Sequence, residues 1–500
     1  MQRKKENFLI RIVKKIGNLF ISFFKSIYNF IISIPEKLKT LGIKIRNVFK
    51  RMIERYKDGD LGTKLSHLIM GAGNFYHKQI MKGLIFLGIQ VGFLTIFFMN
   101  PQVGGTDAVR GTPIGYKSLI NFITLGTNDG TGWGFADNSM LMLLFGVLMI
   151  FMIVIFIVAW NTNIKSAYKV QKVVEEGKKP KTFKEDVAAL FDSRFHILLL
   201  TPTILAVTLF TIIPTVFMIL IAFTDFGRGV VAGSDLFNWV GFENFLAIFE
   251  ESSEIGRRFF PVLGWTLTWA FFATFSNYIG GILLALLINK YEIRLKKVWR
   301  TIFVLTIALP QFITLLAARS LISTGGPFNQ LLQDIGILAR PMAFLAQADS
   351  ATTARVAVLV INLWIGIPYT MLMTSGILMN VPKDTYEAAQ IDGATKYQAF
   401  RHITVPYIVF VTTPYLITSF IGNITSFNII YLLTGGAPSV PGSYAGQTDL
   451  LVTWLFKLTI EQSDYNVGSV IAIFTFIITA SATLLTYRHS KAYKEEDTFQ

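Results

Sequence analysis

The sequence Glu387-Ala-Ala-Gln-Ile-Asp-Gly393, followed by Ile403-Thr-Val-Pro406, is a hydrophilic stretch between two long apolar runs. Charged side chains and unpaired backbone groups are costly in hydrocarbon, so this stretch must protrude from a membrane face. A short helix is predicted over its first part, because no helix breaker interrupts it. Gly393 can then turn the chain, a second short helix can follow, and Pro406 can open the next span. The stretch therefore predicts the order helix, turn, helix and span.

The composition places the whole chain in the membrane class. Of 500 residues, 52% are hydrophobic and 15% are charged, which is too apolar for an ordinary soluble domain. The absence of cysteine excludes disulfides and thiolate metal sites. The five histidines lack the spacing of metal ligands, so no metal site is expected. The expected fold is an all-α polytopic membrane protein.

Apolar runs near the length of a membrane-crossing helix follow one another along the chain. There are about eight, at residues 83–99, 141–160, 197–223, 264–288, 301–321, 356–379, 406–430 and 467–487. An even number places both termini on the same side. Of the lysines and arginines, 37 fall in the terminal segments and the loops on that side, and 7 in the alternate loops. The positive-inside rule therefore predicts cytoplasmic termini and a cytoplasmic Glu387 stretch.

The N-terminal region differs from the spans although residues 8–34 are rich in apolar side chains. Its polar residues recur every three or four positions and so share one helical face: Arg11, Lys14, Lys15, Asn18, Ser22, Lys25, Asn29 and Ser33. Several cations at mid-membrane would be costly, so we predict an amphipathic helix in the membrane interface, in contact with anionic lipid rather than nucleic acid. A dispensable extension is an equally open interpretation.

These patterns divide the chain into four parts. Residues 1–82 form a basic cytoplasmic region with the interfacial helix, and residues 83–196 hold two accessory transmembrane helices. Residues 197–488 form a core of six transmembrane helices, and residues 489–500 a cytoplasmic tail.

The polar residues inside the predicted spans are neutral. Asp, Glu, Lys and His are absent from the middle of the runs, which disfavours ion-coupled transport. Ser419, Asn423 and Ser426 lie at i, i+4 and i+7 and are expected on one helical face. Neutral amides and hydroxyls beside aromatic rings suit a sugar, but they also join membrane helices. Spacing alone leaves both interpretations open.

The Glu387 stretch resembles the EAA loop of ABC importer permease subunits, written Glu-Ala-Ala, three residues, Gly, nine residues, Ile, one residue, Leu-Pro. The spacing agrees throughout, and Val405 replaces the leucine. The resemblance implies that residues 381–406, here called the Glu387 loop, dock onto an ATPase subunit. The implied contact residues are Glu387, Ala388, Ala389, Asp392, Gly393 and Pro406.

The chain from about residue 197 resembles the carbohydrate-uptake branch of these permeases, most closely the maltose/maltodextrin subunit that carries the sugar site. Leu309-Pro310, Gly325-Gly-Pro-Phe-Asn329 and Tyr431-Leu-Leu-Thr-Gly-Gly-Ala-Pro438 support this resemblance. It implies sugar contacts at Asn362, Trp364, Ile365, Gly366, Tyr369, Ser419, Asn423, Ser426 and Gln311. Ser426 stands where that subunit has asparagine, which leaves the identity of the sugar open.

The function implied is that of a permease subunit in an ATP-driven importer for oligosaccharides, in a bacterial plasma membrane. The chain lacks the Gly-x-x-x-x-Gly-Lys-Ser/Thr phosphate loop, so ATP and magnesium are expected on partner ATPases and no cofactor on this chain. Expected partners are a second permease subunit, an ATPase dimer and an extracellular or periplasmic sugar-binding protein. The alternatives are an ABC permease for another oligosaccharide or sugar derivative, an ion-coupled secondary sugar transporter, and a membrane enzyme. The enzyme is disfavoured because paired carboxylates are absent from the spans.

Overall fold

The computed structural model describes residues 8–103, 112–127, 137–230, 236–289, 294–345 and 350–489. Over these ranges the chain is almost entirely helical, with one antiparallel hairpin that pairs β1 (Gln102–Val103) with β2 (Thr112–Pro113). The predicted tail at residues 489–500 lies, beyond its first residue, outside the described part. The chain forms two compact units, one comprising Ile32–Asn244 and the other the chain from Phe245 onward together with the residues before Ile32.

The first unit is built around one long helix, α6, against which the shorter elements pack. Its helices are α1 (Phe8–Lys57, which enters this unit at Ile32), α2 (Leu61–Leu65), α3 (Ala72–Tyr76), α4 (Ile80–Met99), α5 (Tyr116–Thr124), α6 (Ser139–Glu175), α7 (Phe183–Phe191), α8 (Phe195–Val207) and α9 (Ile213–Ile221). A π-helical turn, Thr208–Ile212, joins α8 to α9 into one apolar helix.

Polar side chains on α6 hold the short helices α2 and α3 in place. The Asn163 side chain accepts from the Gly71 N–H at 2.8 Å and donates to the Ser66 carbonyl at 2.9 Å. About two turns further on, the Gln171 side-chain oxygen accepts from the Thr63 hydroxyl at 2.9 Å. Gly71 has φ of 89°, a conformation that favours glycine. These bonds satisfy backbone groups that two very short helices leave unpaired.

The second unit is built around α11, which packs against α15 and α18. Its helices are α10 (Glu243–Leu246, which begins just before it), α11 (Glu254–Asn289), α12 (Lys296–Ala308), α13 (Gln311–Leu321), α14 (Pro327–Asp334), α15 (Ala351–Met379), α16 (Lys383–Ile391), α17 (Lys396–Ala399), α18 (Val405–Ile424), α19 (Asn428–Leu433), α20 (Leu451–Phe456) and α21 (Tyr465–His489).

The core of this unit combines large rings with a close helix crossing. Trp265 and Trp269 of α11 pack with Leu315 and Val358, all of them buried. Further along α11, a Cβ built on Gly281 would come within 2.4 Å of the Thr370 side chain of α15. Small residues at such crossings let two membrane helices approach closely, which strengthens their packing.

The prediction of an all-α polytopic membrane protein is confirmed. Among the described residues, seven helices are long and apolar enough to cross a membrane, and eight if one bent pair counts as a single span. α1 is not one of the seven. The side of the membrane on which the termini lie stays a prediction.

Two of the predicted runs need correction. The run at 301–321 is divided into α12 and α13, which meet at an angle of 98°. Leu309 is extended there, as expected of a residue before proline, and Pro310 cannot donate the hydrogen bond that would continue the helix. The run at 406–430 ends as a helix at Ile424, and a separate helix, α19, follows.

The predicted domain limits stay a prediction. The sequence grouped the run that begins at residue 197 with the core, whereas the corresponding helix, α8 with α9, belongs to the first unit. There α9 packs against α6.

Candidate functional site

The Glu387 loop has the predicted order of helix, turn, helix and span. Gly393, with φ of 75°, turns the chain after α16. A capping box then starts α17, since the Thr395 hydroxyl accepts from the Gln398 N–H at 3.3 Å and the Gln398 side chain accepts from the Thr395 N–H at 2.8 Å. A π-helical turn, Phe400–Thr404, leads into α18, where Pro406 lies in the first turn.

Most of this loop is exposed. Glu387, Ala388, Asp392 and Gly393 are exposed and Ala389 is half-buried. Two large apolar side chains also face outward, Ile391 at 87% exposure and Tyr397 at 67%. A surface groove of 340 Å³ lies between the two short helices, lined by residues that include Ala389, Asp392, Gln398 and His402. The Tyr386 hydroxyl, 2.8 Å from that of Thr404, ties α16 to the start of the span.

The residues predicted on α15 differ in how far they are exposed. Trp364 and Tyr369 expose about half of their rings, 50% and 52%. Asn362 is buried, and Ile365 packs against the hydrophobic core. Gly366 lies against α11, because a Cβ there would come within 2.2 Å of the Asn277 side chain. Trp364 and Tyr369 are five residues apart, about 140° around the helix, so their rings are exposed on different sides of α15.

The residues predicted on α18 do not all share one face. Ser419 and Asn423 do, one turn apart and half-buried, and the Asn423 amide donates to the Thr274 hydroxyl of α11 at 2.9 Å. Ser426 lies beyond the helix end at Ile424, where its N–H donates to the Asn423 carbonyl at 3.3 Å. The predicted common face is wrong for Ser426, since the helix stops before it.

Tyr415 joins the two sets of residues, and sequence reasoning missed it. Its ring centroid is 5.7 Å from that of Tyr369, and its hydroxyl is 3.2 Å from that of Thr370. Tyr415 precedes Ser419 by four residues, so the spacing that related Ser419 to Asn423 could have included it.

An apolar cavity of 580 Å³ lies beside Trp364, between α13, α14 and α15. Leu321, Phe328, Phe344 and Val360 are among its lining residues. Gln311 is exposed at the start of α13, next to the bend, and does not line this cavity. Among the described residues, no group of three His, Cys, Asp or Glu side chains is placed to hold a metal ion.

A buried ion pair organises residues 434–450, here called the Asp449 loop. Asp449 is fully buried, and one of its carboxylate oxygens lies 2.7 Å from Lys457 Nζ. The same carboxylate accepts from the Gly446 N–H at 2.7 Å and the Thr453 hydroxyl at 2.8 Å. A buried charge with this many partners is well satisfied.

Two arginines from different helices bind the backbone of the Asp449 loop. Arg258 of α11 donates to the Ala445 carbonyl at 3.0 Å, and Arg355 of α15 donates to the Gln447 carbonyl at 2.9 Å. The Arg355 guanidinium also lies 4.5 Å from the Trp265 ring centroid. The loop thereby joins the first turns of α11 and α15. The sequence analysis assigned no role to Arg355.

The fold and the exposed loop between spans define a polytopic membrane transport protein. The family of binding-protein-dependent transport system inner membrane components matches residues 277–494. The maltodextrin transport system permease protein MalC of Streptococcus pneumoniae is 33% identical over 441 residues, which cover 87% of this chain and 96% of that protein. The galactooligosaccharides transport system permease protein GanP of Bacillus subtilis is 32% identical and covers 86% of this chain and 98% of its own. A bacterial ABC transporter involved in alginate import shares the fold, with a TM-score of 0.50, 23% identity, and coverage of 62% of this chain and 99% of that one.

The chain belongs to this family of inner membrane components and is a permease subunit of an ABC importer, in the carbohydrate-uptake branch. It is a multi-pass protein of the bacterial plasma membrane, and its role is transport rather than catalysis.

Proposed function

We propose that this permease carries oligosaccharides of the maltodextrin type, moved inward by alternating access. The observation that carries the proposal is the pair of half-exposed rings on α15, Trp364 and Tyr369, with Tyr415 of α18 next to the second. The C–H faces of a sugar ring stack on aromatic side chains, while its hydroxyls need neutral donors and acceptors. Ser419 and Asn423 supply such groups one and two turns beyond Tyr415.

The relatives support the substrate class. MalC is named for maltodextrin and GanP for galactooligosaccharides, and both align with nearly their whole length. The residues proposed to contact the sugar are neutral, which suits an uncharged oligosaccharide. Further sugar contacts are assigned to Asn362, Ile365 and Gly366 on α15, and to Gln311 at the bend between α12 and α13. Ser426 would contact the sugar from the turn after α18.

The energy would come from separate subunits. The Glu387 loop offers an exposed carboxylate, small side chains at Ala388 and Ala389, and a turn at Gly393 to the groove of an ATPase. Asp392 and Pro406 would complete this contact. ATP and magnesium would be bound by an ATPase dimer. A second permease subunit would complete the sugar pathway, and a sugar-binding protein would deliver the substrate.

The test is reconstitution of the chain with its transport partners in liposomes, with maltotriose uptake and stimulated ATP hydrolysis as readouts. Trp364→Ala is expected to raise the maltotriose concentration for half-maximal stimulation about tenfold or more, the usual effect of removing a stacked aromatic anchor. Phe410→Ala removes a ring of similar exposure, 47%, from α18 and serves as the control.

Three outcomes would redirect the proposal. Equal effects of the two variants would remove Trp364 from the sugar site. Stimulation by β-linked galactooligosaccharides without any by maltotriose would keep the oligosaccharide importer and change its sugar. Uptake that survives ATP depletion and follows an ion gradient would favour the secondary transporter.

A further inference from the structure

The N-terminal helix α1 carries one uninterrupted apolar stripe along most of its length. A helix of 50 residues is about 75 Å long. In the sequence, apolar residues recur at intervals of four or three for eleven successive steps: Ile16, Phe20, Phe23, Ile27, Phe30, Ile34, Leu38, Leu41, Ile45, Val48, Met52 and Tyr56. These intervals average close to the helical period, so the sequence places the stripe on one face of a regular helix.

The end of α1 is anchored within its own unit, whereas the described part of the stripe before it, Leu38 to Val48, is exposed. Met52 is buried, its carbonyl lies 3.1 Å from His67 Nε2, and the Tyr56 ring meets the His67 ring edge-on at 5.2 Å. By contrast, Leu38 is 61% exposed and Leu41 is 53% exposed. The stripe thus leads from a fixed end to a segment whose apolar side faces outward.

Cations border this stripe on both edges. One edge is formed by Lys39, Arg46, Lys50 and Lys57, and the other by Lys37, Lys44, Arg51 and Arg55. Spacings of seven and four keep each row aligned along the helix. Among the described residues, no carboxylate pairs with Lys39, Lys44, Arg46 or Lys50. An apolar stripe between two cationic rows fits a surface that is apolar below and anionic above.

We propose that α1 lies in the membrane interface and binds anionic phospholipid, with its stripe in the acyl-chain boundary and both cationic rows at the phosphate level. Charge complementarity selects this occupant. A second copy of α1 packed on the same stripe would bring like-charged rows together, which is unfavourable. Nucleic acid would engage the cations and leave the stripe in water. The interface of an anionic bilayer would bury the apolar stripe and pair both cationic rows with phosphate groups at the same time.

The absence of cysteine makes the test specific, because one introduced cysteine carries one label on the full chain. Leu41→Cys places an environment-sensitive fluorophore in the stripe, and Asn47→Cys places it on the opposite side of the helix. The protein is inserted in nanodiscs of phosphatidylcholine alone, or of phosphatidylcholine with about 30% phosphatidylglycerol, an anionic lipid. Nitroxide lipids in each disc report contact by quenching.

The label at residue 41 should be quenched strongly in the anionic discs and less in the neutral discs, and the label at residue 47 weakly in both. Lys44→Gln with Arg46→Gln removes one cation from each edge. At about 1 kcal/mol per cation, this should lower the ratio of lipid-bound to unbound helix roughly 30-fold. Lys179→Gln with Lys181→Gln removes two exposed cations elsewhere and should leave the ratio unchanged.

The proposal is overturned if residue 41 is not quenched in anionic discs, or if it is quenched equally with and without anionic lipid. It is also overturned if that label becomes shielded only when an ATPase partner is added, because the stripe would then be a protein-binding face.

Discussion

Two loops at opposite ends of α15 are held in contrasting ways. The Asp449 loop is bound to the start of α15 through Arg355. The Asp449 carboxylate is fully buried and has three partner atoms, Lys457 Nζ, the Gly446 nitrogen and the Thr453 hydroxyl oxygen. The Glu387 loop follows the other end, and its tie to the start of α18 is the hydroxyl pair of Tyr386 and Thr404. The Asp449 loop has its charged group paired within the chain, whereas the Glu387 loop leaves the apolar side chains of Ile391 and Tyr397 exposed. The difference separates a structural loop from one shaped for a partner.

The largest expected effect on stability comes from Asp449→Ala. This change leaves Lys457, whose side chain is only 13% exposed, without its counter-ion. Removing one member of a buried pair typically costs about 3–5 kcal/mol. We expect a much lower unfolding temperature in detergent than for Glu461→Ala, which removes an exposed carboxylate nearby. Similar melting of the two variants would mean that the Asp449 loop is not fixed by this pair.

Arg355→Gln should have the next largest effect. It removes the hydrogen bond to the Gln447 carbonyl and the contact with the Trp265 ring, for a loss of about 1–3 kcal/mol. Limited proteolysis should also cut the Asp449 loop faster. Arg340→Gln, at an exposed position, is the matched control. Unchanged proteolysis would show that Arg258 alone suffices to hold the loop.

Gly393→Ala tests how the Glu387 loop is turned. A left-handed conformation with a Cβ costs about 1–2 kcal/mol, and the open space around Gly393 cannot relieve that strain because its origin is local. Amide hydrogen exchange over residues 383–404 should accelerate accordingly. Gly376→Ala on α15 also meets open space, has no left-handed φ, and should be neutral or slightly stabilising. Slower exchange in Gly393→Ala would contradict the assigned turn.

The sequence predicted the features that follow from local chemistry. Apolar runs gave the spans, and Gly393 with the short helical stretches gave the shape of the Glu387 loop. Trp364 and Tyr369 are each half-exposed, as their proposed role requires, although that role stays a prediction. These features depend on a few neighbouring residues, so the chain alone determines them.

The remaining features depend on partners that are distant in sequence. The bend at Pro310 could have been predicted from the proline, but its angle depends on the surrounding packing. The contact of Gly366 with Asn277 and the hydrogen bond from Arg355 to the Gln447 carbonyl each join residues that are far apart in the sequence. No spacing rule predicts such pairs. The sequence analysis therefore assigned Gly366 to the sugar site and did not predict its contact with α11.

The smallest expected effect on stability, and the sharpest contrast between the loops, belongs to Ile391→Ala. A side chain that is 87% exposed contributes little to folding, so the free energy of unfolding should change by less than about 0.5 kcal/mol. If the Glu387 loop docks onto an ATPase, this apolar residue would be buried there, and its truncation should weaken ATPase binding about tenfold. Ile337→Ala, at a position 66% exposed, should alter neither quantity. Co-purification at graded ATPase concentrations measures the difference. A variant that melts normally but binds the ATPase as well as Ile337→Ala would show that the exposed apolar residue is not part of the contact, and Glu387 with the small residues beside it would have to supply the binding.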